Sequence, residues 1–558
     1  MRRIQTLLPL FTGLTLWAAS SSGLPLSEQT FQQFQSPFLE FVTPTSDYAN
    51  EEALSYPIWA RLMLINWLKY DPNTSTDASS ADCSSQKWLQ QYRQDKISKN
   101  IDEYIRRCDK QLQSGWSSSA VTTYLTMMLK LQPEKHPYGR FVILHLPNGN
   151  RLKGFLALKG DAVKRPLVIL RLGIFSNVTA FLPERFMFLQ LFEQSPFNVL
   201  VLESNSSREF IVRNKTLALG GFDEGIQNFL IAKKLQEPTE PISHIVDGVH
   251  VAAMSMGGHG AMFASLLNDW DNKKRKPTSP VIRSVFAYCP LLNFRDTMDF
   301  HLAQEVESMG FDYWVSNRLH GVDNVISGLD QNHFVQSLMN WEEKKYQGPV
   351  AYDESLPLNE IMKSNLKNFW QENQFWPFYK DVQTPVLILA TETDPIVPFQ
   401  INSQRILNKH MNLGNSQVQV VPLQAGLHCN LPGSYQWRPM ASVAQAYILN
   451  NGEFKPEKVT RSIALSKAEL ANTTNKGFPP KYSLQPGREA SEFEIKLELS
   501  NSPLVEKSLT LSMQDLGYAD SNFSISKEMV QRWLDQNLHF ELIEASDQSP
   551  QLVLTWYR

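Results

Sequence analysis

Six short and almost uninterrupted apolar runs, separated by segments with helical periodicity, constrain the fold of this chain more than any other feature. The runs lie at 166–173, 198–203, 249–254, 281–288, 386–390 and 418–422. Such runs are typical of strands that are buried on both faces. Their alternation with helices predicts an α/β fold with a mostly parallel sheet flanked by helices. A β-hairpin with an Asn148-Gly149 turn precedes the first run.

The segments around this alternation predict further units. We expect a signal peptide at 1–23, because Arg2 and Arg3 precede an apolar stretch that ends in small residues. That stretch is shorter than a membrane span, although an uncleaved anchor is the alternative interpretation. Residues 24–136 have helical spacing and predict a helical N-terminal extension. The mature protein is therefore expected to be exported to the periplasm or the cell exterior, without a stable membrane span.

The main α/β domain is predicted over 137–450. Between 288 and 386 the sequence has helical patterns and many aromatic residues but no strand-like run. A structureless loop of that length is improbable, so an inserted helical cap is predicted at about 292–382. Alternating apolar and polar residues after 450 predict a small β-rich C-terminal module over 451–558.

Charge and composition exclude some classes of protein. The chain of 558 residues has 53 Lys and Arg against 56 Asp and Glu. Because no basic cluster is present, a nucleic-acid partner is not expected. The 42% of hydrophobic residues exclude a largely disordered chain. Neither composition nor charge indicates an oligomeric state.

The four cysteines predict one disulfide. Cys83 and Cys108 flank a helical segment and could pair in an oxidising compartment. Cys289 ends a predicted strand and Cys429 follows a histidine, and both are expected to be unpaired, buried thiols. No CxxC or HExxH spacing is present, so neither a metal nor another cofactor is expected.

The sharpest chemical signal is the sequence around Ser255, in Ala-Ala-Met-Ser-Met-Gly-Gly-His-Gly-Ala. An apolar strand runs into this serine, and a helical pattern follows it. Small residues at 253 and 257 permit the tight strand-to-helix turn that exposes a nucleophile above a sheet edge. The backbone N–H of Met256 would then face the reacting carbonyl group at a helix N-terminus. A tight packing turn is the alternative interpretation.

A serine nucleophile needs a base and an acid that orients the base. Asp394 follows the strand run at 386–390, and His428 follows the run at 418–422. Both are therefore expected at the carboxyl edge of the sheet, close to Ser255. A turn-forming aspartate and an ordinary loop histidine are the alternatives. Three further acidic residues near element ends, Glu203, Asp223 and Glu224, are expected to be solvated or to cap helices.

The section from about 137 to 450 resembles the α/β-hydrolase superfamily, in its Ser255 turn, its Asp-Pro-Ile-Val-Pro stretch after 393, its Gly-Leu-His at 426–428 and its cap. The resemblance implies a capped serine hydrolase of the esterase or serine aminopeptidase kind, with a triad of Ser255, Asp394 and His428. The usual His-Gly after the first central strand is replaced by Leu-Gly-Ile-Phe at 172–175. The oxyanion hole is then expected to use the backbone N–H groups of Ile174 and Met256.

The leading hypothesis is a secreted serine hydrolase that cleaves an ester, thioester or peptide bond through an acyl-enzyme. Aromatic residues of the cap, among them Trp370, Phe375 and Trp376, suggest an apolar acyl or aryl group, unless they only pack the cap onto the sheet. An acyltransferase on the same scaffold is the alternative enzyme. A non-catalytic exported binding protein is the alternative outside enzymes.

Overall fold

The structure is a computed structural model of the whole chain, and the description that follows is confined to part of it. The described residues are 31–42, 83, 88–89, 97–113, 139–160, 163–178, 187–188, 191–192, 195–219, 221–303, 312, 315–316, 318–322, 325–326, 328–330, 333–345, 369–407, 417–430, 434–435, 437–454, 458–475, 481–487, 492–501, 504–512, 538–543 and 549–557. The predicted signal peptide and most of the segment from 43 to 138 lie outside them.

A nine-stranded sheet forms the centre of the molecule, in the order β1-β2-β3-β5-β4-β6-β7-β8-β9. Its strands are β1 (Leu39–Phe41), β2 (Gly139–His145), β3 (Arg151–Ala157), β4 (Arg165–Arg171), β5 (Asn198–Leu202), β6 (Val246–Met254), β7 (Ile282–Tyr288), β8 (Val386–Thr391) and β9 (Val418–Leu423).

Strands β5, β4, β6, β7, β8 and β9 pair in parallel, whereas β1, β2 and β3 pair antiparallel at one side. Every residue of β4, β5 and β8 is buried, as expected for strands covered on both faces. This order and these directions are those of the α/β-hydrolase fold. The fold class predicted from the apolar runs is confirmed.

Helices flank the sheet, and further helices are described between β7 and β8. They are α1 (Ile97–Leu112), α2 (Arg208–Asn214), α3 (Gly221–Lys234), α4 (Ser255–Arg275), α5 (Phe294–Leu302), α6 (Phe334–Lys345), α7 (Phe369–Glu372), α8 (Trp437–Asn450) and α9 (Lys467–Asn475). The regular elements described between β7 and β8 are all helical: α5, α6, α7 and a 3-10 helix at Trp376–Asp381.

The N-terminal extension is not purely helical. Strand β1 pairs with β2, with Leu39 opposite Leu144 and Phe41 opposite Val142, and so extends the central sheet. The segment predicted to be helical contributes a strand at this point, because the open edge of the β2–β3 hairpin gains main-chain hydrogen bonds from β1. Helix α1 is helical as predicted, and it contacts α8 and β9.

Two antiparallel sheets of three strands each follow the main domain, in the orders β10-β15-β14 and β11-β12-β13. Their strands are β10 (Lys458–Ala464), β11 (Lys481–Pro486), β12 (Glu492–Asn501), β13 (Leu504–Ser512), β14 (His539–Ile543) and β15 (Gln551–Tyr557). The predicted β-rich character of the C-terminal region is therefore confirmed.

Two disulfides are present. Cys83 pairs with Cys108, as predicted. Cys289 pairs with Cys429, so the prediction of two unpaired thiols was wrong. The two residues are 140 positions apart in the chain, but they follow the ends of β7 and β9, which lie at the same edge of the parallel sheet. Within the described ranges, no helix is both long enough and apolar enough to cross a membrane.

Helices α3 and α4 pack closely because glycines lie at their contact. A Cβ atom at Gly225 would lie 2.6 Å from the Cβ atom of Phe263 and 3.0 Å from the carbonyl oxygen of Gly260. A Cβ atom at Gly260 would likewise lie 2.7 Å from Cβ of Glu224. The two helices therefore pack so closely that a residue with a Cβ atom at either glycine position would displace its neighbours.

We predict that Gly225→Ala destabilises the protein, although alanine is the better helix former. Overpacking of this contact should lower the free energy of unfolding by about 1–3 kcal/mol, measured by chemical denaturation. The control is Lys273→Ala on the exposed end of α4, which should change stability by less than about 0.5 kcal/mol. A Gly225→Ala variant as stable as the unsubstituted protein would contradict this account of the packing.

Candidate active site

Ser255 lies at the junction of β6 and α4, in a strained backbone conformation. Its φ is +52°, in the left-handed region that residues with a side chain rarely adopt, while Met254 before it is extended. The turn is possible because α4 comes very close to the end of β4: a Cβ atom at Gly257 would lie 2.4 Å from the carbonyl oxygen of Leu172. The strand-to-helix turn expected from the sequence is therefore present.

Asp394 lies in the loop after β8, and its carboxylate accepts three hydrogen bonds. Oδ1 accepts from the backbone N–H groups of Ile396 and Val397, both at 2.8 Å. Oδ2 lies 2.8 Å from Nδ1 of His428. Because an ionised carboxylate only accepts, Nδ1 of the ring carries the hydrogen and Nε2 is left to accept a proton.

His428 begins a short 3-10 helix after β9, and its loop is fixed to the loop that carries Asp394. The hydroxyl of Thr393 donates to the carbonyl oxygen of Gly426 at 2.7 Å. The backbone N–H of Glu392 donates to the carbonyl oxygen of Leu423 at 2.9 Å. These contacts hold Asp394 and His428 in one unit.

Ser255, Asp394 and His428 thus lie at the carboxyl edge of three strands of the same sheet, as the sequence predicted. Among the described residues, the Ser255 hydroxyl makes no hydrogen bond with the ring of His428. Hydrogen bonds of this kind are often long in the absence of substrate. Ser255 is 8% exposed and the side chain of His428 is 13% exposed, so both retain a path to solvent.

A second histidine, His259, lies one helical turn after Ser255, and its surroundings differ from those of His428. His259 is fully buried, and its ring contacts Phe263 and faces Gly221 of α3. Within the part of the chain that the structure describes, neither ring nitrogen has a hydrogen-bond partner. Burial lowers the pKa of His259 to about 3, so the ring is neutral. It lies between two helices and not at the sheet edge, and it is a packing residue.

The two residues whose backbone N–H groups are expected to form the oxyanion hole follow the ends of the adjacent strands β6 and β4. Met256 is in the first turn of α4, where backbone N–H groups have no partner within the helix. Ile174 is in the loop after β4, and the side chains of both residues belong to one apolar cluster. The next residue, Phe175, has a φ of +59° and donates its N–H to the hydroxyl of Ser206 at 2.9 Å.

A buried polar cluster is hydrogen-bonded to the loop that contains Ile174. The guanidinium of Arg171, 0% exposed, lies 3.2 Å from Oε1 of Glu224 and 3.0 Å from Oδ1 of Asn205. The Glu224 carboxylate also accepts from the hydroxyl of Ser204 at 2.9 Å, and Ser204 donates its N–H to Ser176 of the loop. The prediction that Glu224 is solvated or capping was wrong, because a buried cation requires a carboxylate beside it.

Glu203 is also buried, contrary to the prediction. It lies at 0% exposure, accepts from the N–H of Lys153 at 2.6 Å and forms an ion pair with Arg213. Burial raises its pKa, and the cation of Arg213 opposes that change. The polar run at 203–207, directly after the apolar residues 199–202, was a sequence signal for a buried polar cluster.

The loop over 424–430 carries His428 and is called the base loop after the role expected of that residue. It is also held by the N-terminal extension. The hydroxyl of Tyr435 donates to the carboxylate of Asp109 on α1, and it accepts from the backbone N–H of Gln424 at 2.9 Å. Tyr435 and Asn430 exchange two further hydrogen bonds, at 2.7 and 3.0 Å. Sequence reasoning missed this contribution, since Asp109 precedes the main domain and no local pattern connects it with residue 435.

An apolar cluster lies between the Ser255 turn and the cap. It joins Met256, Phe175 and Val397, which are neighbours of the candidate site residues, to buried side chains of the cap helices. Trp370 is half-buried and contacts Phe294. Phe375, by contrast, is fully buried and packs edge-on against Phe263 of α4, so its role is to pack the cap onto the sheet.

One carboxyl group is buried in the cap. Glu342 on α6 is 6% exposed and accepts a hydrogen bond from the backbone N–H of Leu219. Burial, with a smaller contribution from the nearby charge of Asp223, raises the pKa of Glu342 to about 8. The cap therefore holds this group in its neutral form up to a pH well above the ordinary range of a glutamate.

One set of potential metal ligands is present in the described residues: Cys289, His428 and Cys429 place their ligand atoms within 4.8 Å of one another. The two sulfur atoms are joined in the disulfide, and a disulfide offers no thiolate ligands. In this oxidised form the group is a histidine beside a disulfide.

Comparison with solved structures gives distant likenesses. No family model and no curated protein matches the chain. It is similar to an esterase from Pyrococcus furiosus, at 14% identity and a TM-score of 0.36, over 57% of this chain and 94% of that one. An esterase from Pyrobaculum calidifontis gives 12% identity and a TM-score of 0.33, over 64% and 98%.

An acylaminoacyl peptidase from Pyrococcus horikoshii aligns at 12% identity and a TM-score of 0.34, over 57% of this chain. The chain spans 43% of the length of that peptidase. The strand order and directions described above remain the basis of the fold assignment. The chain has the α/β-hydrolase fold.

We predict that the cap residue Glu342 makes stability depend on pH. Its folded pKa of about 8 exceeds the ordinary value of 4.5. The stabilisation from the protonated group is therefore complete below pH 4.5 and is lost as the pH rises through 8. Glu342→Gln should remove this loss and stabilise the protein at pH 8.5 by on the order of 2 kcal/mol, measured as the difference between melting curves at pH 5 and pH 8.5.

The matched control is Glu343→Gln at the exposed neighbouring position, which should shift the two melting curves by equal amounts. Equal pH dependence of Glu342→Gln and the unsubstituted protein would show that Glu342 is ionised throughout this range.

Proposed function

We propose that this protein is an exported serine hydrolase that cleaves an ester, thioester or peptide bond through an acyl-enzyme. The observation that carries the proposal is the placement of Ser255, in a left-handed turn at the start of α4, at the same sheet edge as the hydrogen-bonded pair of His428 and Asp394. Such a turn exposes the serine oxygen to a substrate carbonyl group, and the pair supplies an oriented base.

In the proposed reaction, Nε2 of His428 removes the hydroxyl proton of Ser255 while Oγ attacks the substrate carbonyl carbon. The negative oxygen that forms is stabilised by the backbone N–H groups of Met256 and Ile174. The imidazolium then donates its proton to the leaving group, which departs as an alcohol, thiol or amine. Water, deprotonated by the same ring, attacks the acyl-enzyme and releases the acid.

Asp394 has two parts in this scheme. It holds Nδ1 as the protonated nitrogen, so Nε2 is the atom that accepts a proton. It also stabilises the imidazolium that forms during each half of the reaction. The two backbone N–H groups on Oδ1, at 2.8 Å, keep the carboxylate itself from rotating. No cofactor enters any step.

We further propose a substrate with an apolar acyl group. Leu427 and Ile396 are among the exposed large apolar residues, at 51% and 44%, and they lie next to His428 and two positions after Asp394. Exposed apolar side chains beside a candidate site favour an apolar ligand. Val397, which follows Ile396 in the chain, belongs to the apolar cluster that contains Met256, Phe175 and buried side chains of the cap.

Export is supported by the predicted signal peptide at 1–23 and by the two disulfides, since disulfides persist mainly in oxidising compartments. N-terminal sequencing of the protein recovered from producing cells tests this part of the proposal. A mature chain that begins near residue 24 is expected, and a chain that retains Met1 would overturn it.

The decisive test of the hydrolase is labelling of the purified protein with a fluorophosphonate, which reacts with an activated serine hydroxyl. We predict that the unsubstituted protein is labelled on Ser255 and that Ser255→Ala and His428→Ala are not. For a hydrolysed ester, both variants should lose at least about 10⁴-fold in kcat. Circular dichroism establishes that each variant is folded.

Folded protein that resists the fluorophosphonate would contradict the proposal and leave a binding protein on a hydrolase scaffold. Release of the acyl group to an added alcohol in preference to water would instead identify an acyltransferase. Product analysis in the presence of the alcohol separates these two enzymes.

The proposed apolar substrate leads to a second prediction. Leu427→Ser should raise KM for a 4-nitrophenyl octanoate about three- to tenfold, because burial of the leucine against the acyl chain contributes on the order of 1 kcal/mol. The same variant should leave the kcat for 4-nitrophenyl acetate unchanged.

The control is Val212→Ser on α2, an exposed apolar residue elsewhere in the chain at 42% exposure. It should leave both substrates unaffected. An equal loss of activity on acetate and octanoate in Leu427→Ser would indicate damage to the base loop and not loss of an acyl contact.

A further inference from the structure

The disulfide between Cys289 and Cys429 lies directly against the proposed base. Nε2 of His428 is 3.6 Å from Sγ of Cys429 and 4.0 Å from Sγ of Cys289. Both cysteines are almost completely buried, at 1% and 2% exposure. The bridge is therefore part of the wall of the candidate active site and not a surface link.

The strand register explains why these two cysteines meet. Met254 of β6 lies opposite Tyr288 of β7, so Ser255 and Cys289 are the next residues on two adjacent parallel strands. Cys429 immediately follows His428 in the chain. The bridge thus joins Cys289, which lies beside the proposed nucleophile in the strand register, to Cys429, which follows the proposed base in the chain.

The backbone of the base loop needs such a constraint. Cys429 and Asn430 have φ values of +50° and +63°, and Cys289 has a φ of +44°. Left-handed conformations of non-glycine residues persist only where the surroundings hold them in place. The hydrogen bonds of Asn430 with Tyr435 hold one side of the loop, and the disulfide holds the side that faces Ser255.

We propose that the Cys289–Cys429 disulfide is a positioning element for His428, which sets the distance between the base and Ser255 during proton transfer. This inference rests on the proposed serine hydrolase function. Displacement of a catalytic group by about 1 Å can reduce a rate on the order of 10²-fold. Loss of the bridge should therefore lower kcat about 10- to 100-fold. KM should change by less than about threefold, because the proposed substrate contacts are with the cap and with the exposed residues Leu427 and Ile396.

The same bridge makes activity sensitive to reduction. A dithiol reductant transfers two electrons and two protons to the disulfide, which becomes the two thiols of Cys289 and Cys429, and the reductant itself is oxidised to a disulfide. The loop is then free to leave its left-handed conformation. Reoxidation should restore the bridge and the rate.

The test compares two double variants of the full-length chain. Cys289→Ala with Cys429→Ala removes the bridge beside His428. Cys83→Ala with Cys108→Ala removes the other disulfide, which joins residues of the N-terminal extension. Steady-state kinetics on one ester, the pH profile of kcat and the melting temperature are measured for each, well below the melting temperature of the less stable variant.

We expect kcat to fall 10- to 100-fold in the first double variant with KM nearly unchanged, and kcat to stay within about threefold in the second. Treatment with dithiothreitol, its extent followed by mass spectrometry after alkylation, should lower kcat of the unsubstituted protein and of the second variant. The first variant should not respond to the reductant. If the Cys289–Cys429 bridge only stabilises the fold, both double variants should have lower melting temperatures, and the first should not show a fall in kcat with an unchanged KM.

Two outcomes would overturn the inference while the hydrolase remains. One is fluorophosphonate labelling of Ser255 together with an unchanged kcat in the first double variant. The other is two free thiols with stoichiometric bound zinc in the purified protein, which would make Cys289, His428 and Cys429 metal ligands. If neither the unsubstituted protein nor the second double variant is labelled while its Cys289–Cys429 disulfide is intact, the hydrolase proposal itself is contradicted.

Discussion

The turn from β6 into α4 is the constraint on which the rest of the site depends. It places Ser255 in a left-handed conformation, and it is possible only because Gly257 has no side chain to meet the carbonyl oxygens of Arg171 and Leu172. The same close approach brings the end of β4, and with it the loop containing Ile174, beside the first turn of the helix. One backbone contact thus sets the positions of the proposed nucleophile and of both proposed oxyanion groups.

Parallel pairing then brings the other groups to this edge. The register of β6, β7, β8 and β9 aligns the ends of four strands, and each is followed by a residue that faces the site: Ser255, Cys289, Asp394 and His428. Parallel strands require long crossovers, and the crossover from β7 to β8 is where the cap is inserted. Under the proposed function, the sheet therefore holds the reacting groups in fixed positions while the cap selects the substrates that reach them.

Much of this arrangement could be predicted from sequence because it depends on local pattern. Continuous apolar runs indicate buried strands, and polar residues directly after them indicate the sheet edge. The disulfide of Cys289 and Cys429 could not be predicted, because it depends on which strands are neighbours and in which register. The burial of Glu224 beside Arg171 has the same origin, since an isolated acidic residue near a helix end is usually solvated. The contact of Asp109 with the base loop joins segments whose patterns are independent.

The connections around His428 come from three parts of the chain. The acid loop is tied to it through Thr393, helix α1 supports it through Tyr435, and β7 is joined to it by the disulfide. The cap has a different design: it meets the site through apolar contacts and contains Glu342, whose neutral form depends on pH. Proton transfer depends on distances fixed to a fraction of an ångström, whereas apolar recognition tolerates small displacements. The division between a covalently restrained base and an apolar cap matches these two demands.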